Sequence, residues 1–132
     1  MLRDIPNRPV QDFAVAIVPR ETEDELWDTF ILNLKPEPVR DVLVNSRGYG
    51  ELDGEARKTS VLRHFFERIG PETAAMLEPI QSSLFTFTNE YWVSFSFDGH
   101  MFDKKYIFVR GSIDAMNFTR VPLLNRPGVM IR

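Results

Sequence analysis

The residues Tyr91-Trp92-Val93-Ser94-Phe95-Ser96-Phe97 alternate large apolar side chains with serines before Asp98-Gly99, and a second aromatic run, Tyr106-Ile107-Phe108-Val109, follows. Tyr91, Val93, Phe95 and Phe97 share one face while Trp92, Ser94 and Ser96 share the other, the two-residue period of a half-buried strand. An Asp-Gly pair between two such runs predicts a β-hairpin, because both residues tolerate the left-handed backbone that a tight turn requires. A lone hairpin is marginal in water. Other strands must therefore cover its apolar face.

The rest of the chain supplies them. Residues 1–10 carry Pro6 and Pro9 and read as a loose lead-in. Phe13 to Val18 is an apolar run closed by Pro19, and Phe30, Leu32 and Leu34 alternate with Thr29, Ile31 and Asn33. Pro36 and Pro38 lack amide donors, so the chain turns between that strand and the next, Val39 to Val44. Arg47 to Gly54 reads as a glycine-punctuated surface loop. Thr59 to Ile69 fits either a helix, with Val61, Leu62, Phe65, Phe66 and Ile69 on one side, or a strand; its strand neighbours favour strand. Thr73 to Leu77 continues the pattern after the Gly70-Pro71 turn. Residues 80–90 read as a connection, and Ser112 as the cap of one helical turn ending near Phe118.

About seven strands with turns at roughly ten-residue spacing predict one all-β domain over 1–132, an antiparallel β-sandwich. Residues 111–132 form a C-terminal extension whose apolar tail, with Leu123, Leu124 and Met130, must dock against the body or a second subunit. The segments Phe30 to Leu34, Val39 to Val44 and Ile69 to Thr73, with Tyr91 at the position of a corner tyrosine, resemble the strands of immunoglobulin-like and fibronectin type III-like domains. That resemblance implies an immunoglobulin-like sandwich over 12–110, without the antibody-type cysteines. It carries little about role, since the architecture serves many functions.

Composition narrows the chemistry. The chain has no cysteine, which excludes disulfides, thiolate metal sites and a cysteine nucleophile. The N-terminus lacks the apolar core of a signal peptide, and no apolar run reaches membrane-spanning length, so the expectation is a cytoplasmic protein with no membrane partner. A net charge of -3 argues against a nucleic-acid partner. Residues 21–54 are strongly acidic and residues 104–132 basic, an asymmetry that strand pairing is expected to mix.

No catalytic, cofactor or metal motif stands out. The glycines between Gly48 and Gly54 have the wrong spacing for a phosphate loop, and Glu51, Asp53 and Glu55 would repel an anion. Asp98, His100 and Asp103 cluster near the hairpin tip, yet a two-residue turn sends them to different faces. His64 and Ser60 share a segment without a visible third partner. Lys104 shares the inward face with Phe102 and Tyr106, which requires either a bulge or a stem lying along the sheet.

Trp92 points outward with Ser94, Ser96 and Lys105 unless residues 80–90 or the tail fold over it. The expected role is a non-enzymatic protein-interaction or structural domain, binding a protein partner or a second copy. Its candidate surface is Trp92, Tyr49, Lys105, Leu123, Leu124 and Met130. The alternative is a small-ligand or carbohydrate-binding module using Trp92, Tyr49 and the Gly48–Gly54 loop.

Overall fold

The computed structural model describes residues 9–21 and 25–132; most of the lead-in and the middle of the acidic stretch lie outside them. The described residues form two antiparallel sheets. The first holds β1 (Phe13–Pro19), β2 (Leu26–Asn33), β6 (Thr73–Met76), β7 (Ile80–Gln81), β10 (Thr119–Val121) and β11 (Arg126–Ile131). Its order is β10-β11-β1-β2-β6, with β7 pairing the start of β2. The second holds β3 (Val39–Leu52), β4 (Glu55–Lys58), β5 (Leu62–Ile69), β8 (Thr88–Phe97) and β9 (His100–Phe108). There β3 lies between β8 on one side and β4 and β5 on the other, and β9 borders β8. The all-β sandwich expected from the alternation is the fold observed.

The core between the sheets follows from the two-residue period. Phe13, Val15, Ile17 and Ile31 meet Val42, Val44, Val93, Phe95, Tyr106 and Phe108. Phe13 stacks on Phe95 at 4.7 Å between centroids, and Phe95 on Phe102 at 5.4 Å. Fully burying such a side chain contributes about 1.5–3 kcal/mol. A second apolar cluster lies on the opposite side of the first sheet, where Ala14, Ala16, Val18, Phe30 and Leu32 are buried with Val121, Leu34, Leu124 and Met130. Strand β1 is thus buried on both faces, which explains its uninterrupted apolar run.

Asp98-Gly99 makes the expected turn, with φ of 50° and 73°. The loop expected over Arg47 to Gly54 is instead the second half of β3, and Asp53-Gly54, with φ of 53° and 79°, turns it into β4. Gly48 and Gly50 lie within the strand, so the turn residue among these glycines is Gly54. Thr59 to Ile69 resolves in favour of a strand, since β5 pairs β3 from Ser46↔Leu62 to Val39↔Ile69. The expected connection over 80–90 contains β7, a 3₁₀ turn at Ser82–Thr86 and the first residues of β8. Ser112 does not cap the later helical turn. That turn is a 3₁₀ segment, Ala115–Asn117, whose cap is Asp114, with a carboxylate that accepts from the Met116 amide at 3.0 Å.

The C-terminal residues dock against the body as strands of its first sheet. Strand β11 lies between β1 and β10, so these residues complete the first sheet. Lys104 sits in an unbroken β8–β9 register, without a bulge, and its Nζ donates to the Arg132 carbonyl at 2.7 Å. The tyrosine that reaches back to the main chain is Tyr106, whose hydroxyl donates to the Phe13 carbonyl at 2.9 Å.

Burial pushes the hydroxyls of Tyr91 and Tyr106 above the ordinary tyrosine value. The fold favours their neutral forms, so this contribution to stability is fully present below about pH 10 and is lost as pH rises towards the raised values. Tyr91 and Tyr106 are expected to ionise only as the structure is lost. An alkaline titration followed by tyrosinate absorbance and near-ultraviolet circular dichroism checks this; their ionisation with unchanged dichroism would contradict it.

Candidate functional site on the outer face of the second sheet

The two outer faces of the sandwich differ. On the first sheet the chain covers most of its outward apolar residues: Ala14, Ala16 and Leu32 have no exposed surface, while Met76 in β6 stays exposed. On the second sheet Phe65 is 63% exposed, Trp92 44% and Ile107 40%. The pleat places these residues outward, because Phe66, Val93 and Tyr106 take the inward positions of the same strands.

The register arranges this face in rows. Arg63, Asn45, Trp92 and Lys105 lie side by side across β5, β3, β8 and β9. Phe65, Leu43, Ser94 and Asp103 form the next row; Arg47, Glu90 and Ile107 form the row on the other side. Lys105 Nζ sits 4.6 Å from the Trp92 ring centroid, and the Arg47 guanidinium 5.5 Å from that of Tyr49. Arg63 Nε donates to Asn45 Oδ1 at 3.1 Å. Glu90 is buried and pairs with Arg47 Nε at 3.3 Å. Asn45, Arg47, Val61, Arg63, Glu90 and Trp92 line a shallow depression of about 240 Å³.

Three of the six residues singled out from sequence, Trp92, Tyr49 and Lys105, therefore belong to the second sheet, with Trp92 and Lys105 adjacent. Leu123, Leu124 and Met130 do not join them. Leu124 and Met130 pack on the apolar cluster of the first sheet, and Leu123 lies in the turn between β10 and β11. Phe65, Leu43, Arg63 and Ile107 escaped the sequence reading. The alternation of Val42, Leu43 and Val44 held the signal that would have turned Leu43 outward, whereas the ambiguity over residues 59–69 hid Phe65 and Arg63.

A second concavity, of about 140 Å³, opens between β3, β5 and residues 77–81, and Ser46, Ser60, His64, Glu78 and Tyr91 are among the residues that line it. Among the described residues the His64 side chain makes no hydrogen bond. At the hairpin tip, His100 Nδ1 lies 2.7 Å from the Asp98 carbonyl. The described residues contain no group of three or more potential metal-ligating side chains. Among them, no helix is long and apolar enough to cross a membrane.

Comparison of the chain with protein-family models, with curated proteins and with solved structures finds no match. Function must be read from the site.

Proposed function

We propose that this chain is a non-enzymatic, cytoplasmic protein-interaction domain, an immunoglobulin-like sandwich whose contact surface is the outer face of the second sheet around Trp92. One contrast supports this reading: the chain buries most of the apolar outer side of its first sheet, Met76 apart, and leaves Phe65, Trp92, Leu43 and Ile107 in water together on the second. Clustered exposed apolar side chains rimmed by polar groups mark interaction sites, and Trp, Tyr and Arg dominate the energetics of protein interfaces. A sugar-stacking use of the same aromatics is less well served. Trp92 and Tyr49 each already carry a cation over the ring, which removes a stacking surface.

Photocrosslinking tests the surface directly. A benzoylphenylalanine at position 65 is expected to give discrete covalent adducts in cells, whereas the same group at Met116, which is 83% exposed beyond this face, is not. Equal adducts at both positions, or none at either, would discard the proposal.

A further inference from the structure

We infer that two copies of this chain pair edge to edge through β5, antiparallel, about a two-fold axis at Phe65. The pairing joins their second sheets into one, and it rests on the interaction reading above, with a second copy as the partner met at Phe65. Alternation fixes which main-chain groups of β5 are free for this. The Asp98-Gly99 turn closes β8 and β9 on the hydrogen-bonded pair Phe97↔His100. Ser94, Trp92 and Glu90 therefore direct their main-chain groups to β3, at Leu43, Asn45 and Arg47. The intervening Val44 and Ser46 then bond His64 and Leu62 of β5. Arg63, Phe65 and Glu67 are left with amides and carbonyls turned away from β3, along an edge that no strand among the described residues pairs. The next group in that series, the Ile69 carbonyl, accepts from Asn33 Nδ2 and ends the free stretch.

The side chains along this edge complement themselves. With the axis at Phe65, Arg63 lies opposite the partner's Glu67, Phe65 opposite its own counterpart, and Glu67 opposite the partner's Arg63. The three share the outer face, where Phe65 is 63% exposed. Among the described residues neither Arg63 nor Glu67 has an ion-pair partner. Arg63 gives only its Nε to Asn45, at 3.1 Å, which leaves its terminal nitrogens for a carboxylate. Opposite charges and aromatic rings facing each other across strands favour a pairing, and like charges directly opposite destabilise it. An axis moved to Arg63 or to Glu67 sets that charge against itself; an axis at His64 or Phe66 leaves each charge facing an apolar side chain. Main-chain bonds thus supply the attraction, and the charges fix the register.

The other edges are less suited. Strands β4, β6, β7 and β10 have four residues or fewer. Strand β9 is long enough, but it sends Lys104 to the inner side, where its Nζ is held by the Arg132 carbonyl at 2.7 Å. An inward charge is one of the features that keep a sheet edge from pairing. The inner side of β5 from Leu62 to Phe66 carries neither lysine, arginine nor carboxylate.

Sedimentation velocity of the purified chain over about 5–200 μM is expected to show a monomer–dimer equilibrium, since one paired edge is a small interface. Arg63→Glu alone and Glu67→Arg alone should each weaken the dimer about tenfold or more, because each sets like charges opposite at both ends of the pairing. An equimolar mixture of the two variants should recover association as a heterodimer, in which every charge again faces its opposite. That recovery also shows that both variants are folded. A chain that stays monomeric across the range, or a mixture no more associated than its components, would overturn the inference. So would benzoylphenylalanine at position 65 of the purified protein crosslinking to a second copy outside β5. If adducts at position 65 form in cells with another protein while the purified chain stays monomeric, only the self-pairing falls; if those adducts are absent as well, the interaction surface falls with it.

Discussion

Replacing Asn33 with leucine is expected to remove about 3–5 kcal/mol of stability, a large part of the total for a domain of this size. Asn33 is fully buried at the end of β2, and its side chain bonds two separate stretches of chain. Its Nδ2 donates to the carbonyls of Glu37 at 2.8 Å, Gly70 at 2.9 Å and Ile69 at 3.4 Å. Its Oδ1 accepts from the Lys35 amide at 3.1 Å. The residue therefore holds the turn after β2 to the end of β5, one sheet to the other. Leucine keeps the branched outline, with more bulk, but strands these main-chain groups away from water, at about 1–3 kcal/mol for each buried group left unpaired. Urea unfolding measures the effect as a lower midpoint with an unchanged slope. A loss below about 1 kcal/mol would show that water reaches the site and takes over the bonds.

The second large effect is steric. Gly128 sits in β11 where a β-carbon would lie 2.3 Å from Val18 Cγ1, 2.8 Å from the Ile17 carbonyl and 3.2 Å from Val18 Cα. Two of these three neighbours are backbone atoms, so no rotamer change removes the conflict. Strand β11 is held by β1 on one side and β10 on the other and cannot step away. Gly128→Ala is expected to cost about 3 kcal/mol, at the upper end for overpacking, and to lower the melting temperature by roughly 10 °C. Adding Val18→Ala should recover only part of the interaction term in a double-mutant cycle, because the carbonyl of Ile17 remains. Full additivity would mean that Val18 is not the obstacle.

Both effects lie at residues that carry no signal in one dimension. Asn33 read as the polar member of an alternating strand, and Gly128 as one residue of an apolar C-terminal tail. In the fold, Asn33 is a buried hub, and Pro127 and Gly128 lie inside a strand. The same limit applies to the glycines of β3. A glycine marks either a bend or a close approach, and only the neighbouring strand tells which. It applies as well to residues 59–69, whose apolar positions fit two periods until β3 supplies the ladder that makes them a strand.

What the chain determined by itself is local and repetitive. The alternation of Tyr91 to Phe97, the Asp98-Gly99 turn and the prolines after Leu34 specify antiparallel strands with one apolar side, because side-chain direction and turn geometry depend on a few consecutive residues. They also turned Trp92 and Lys105 outward. Pairing between distant segments decided everything else: that the C-terminal residues complete the first sheet, that its outer side is covered while the other stays in water, and that Arg63 from β5 lines up with Trp92 and Lys105. Such juxtapositions depend on which strands become neighbours and in what register, and that choice is made by the packing of the whole core.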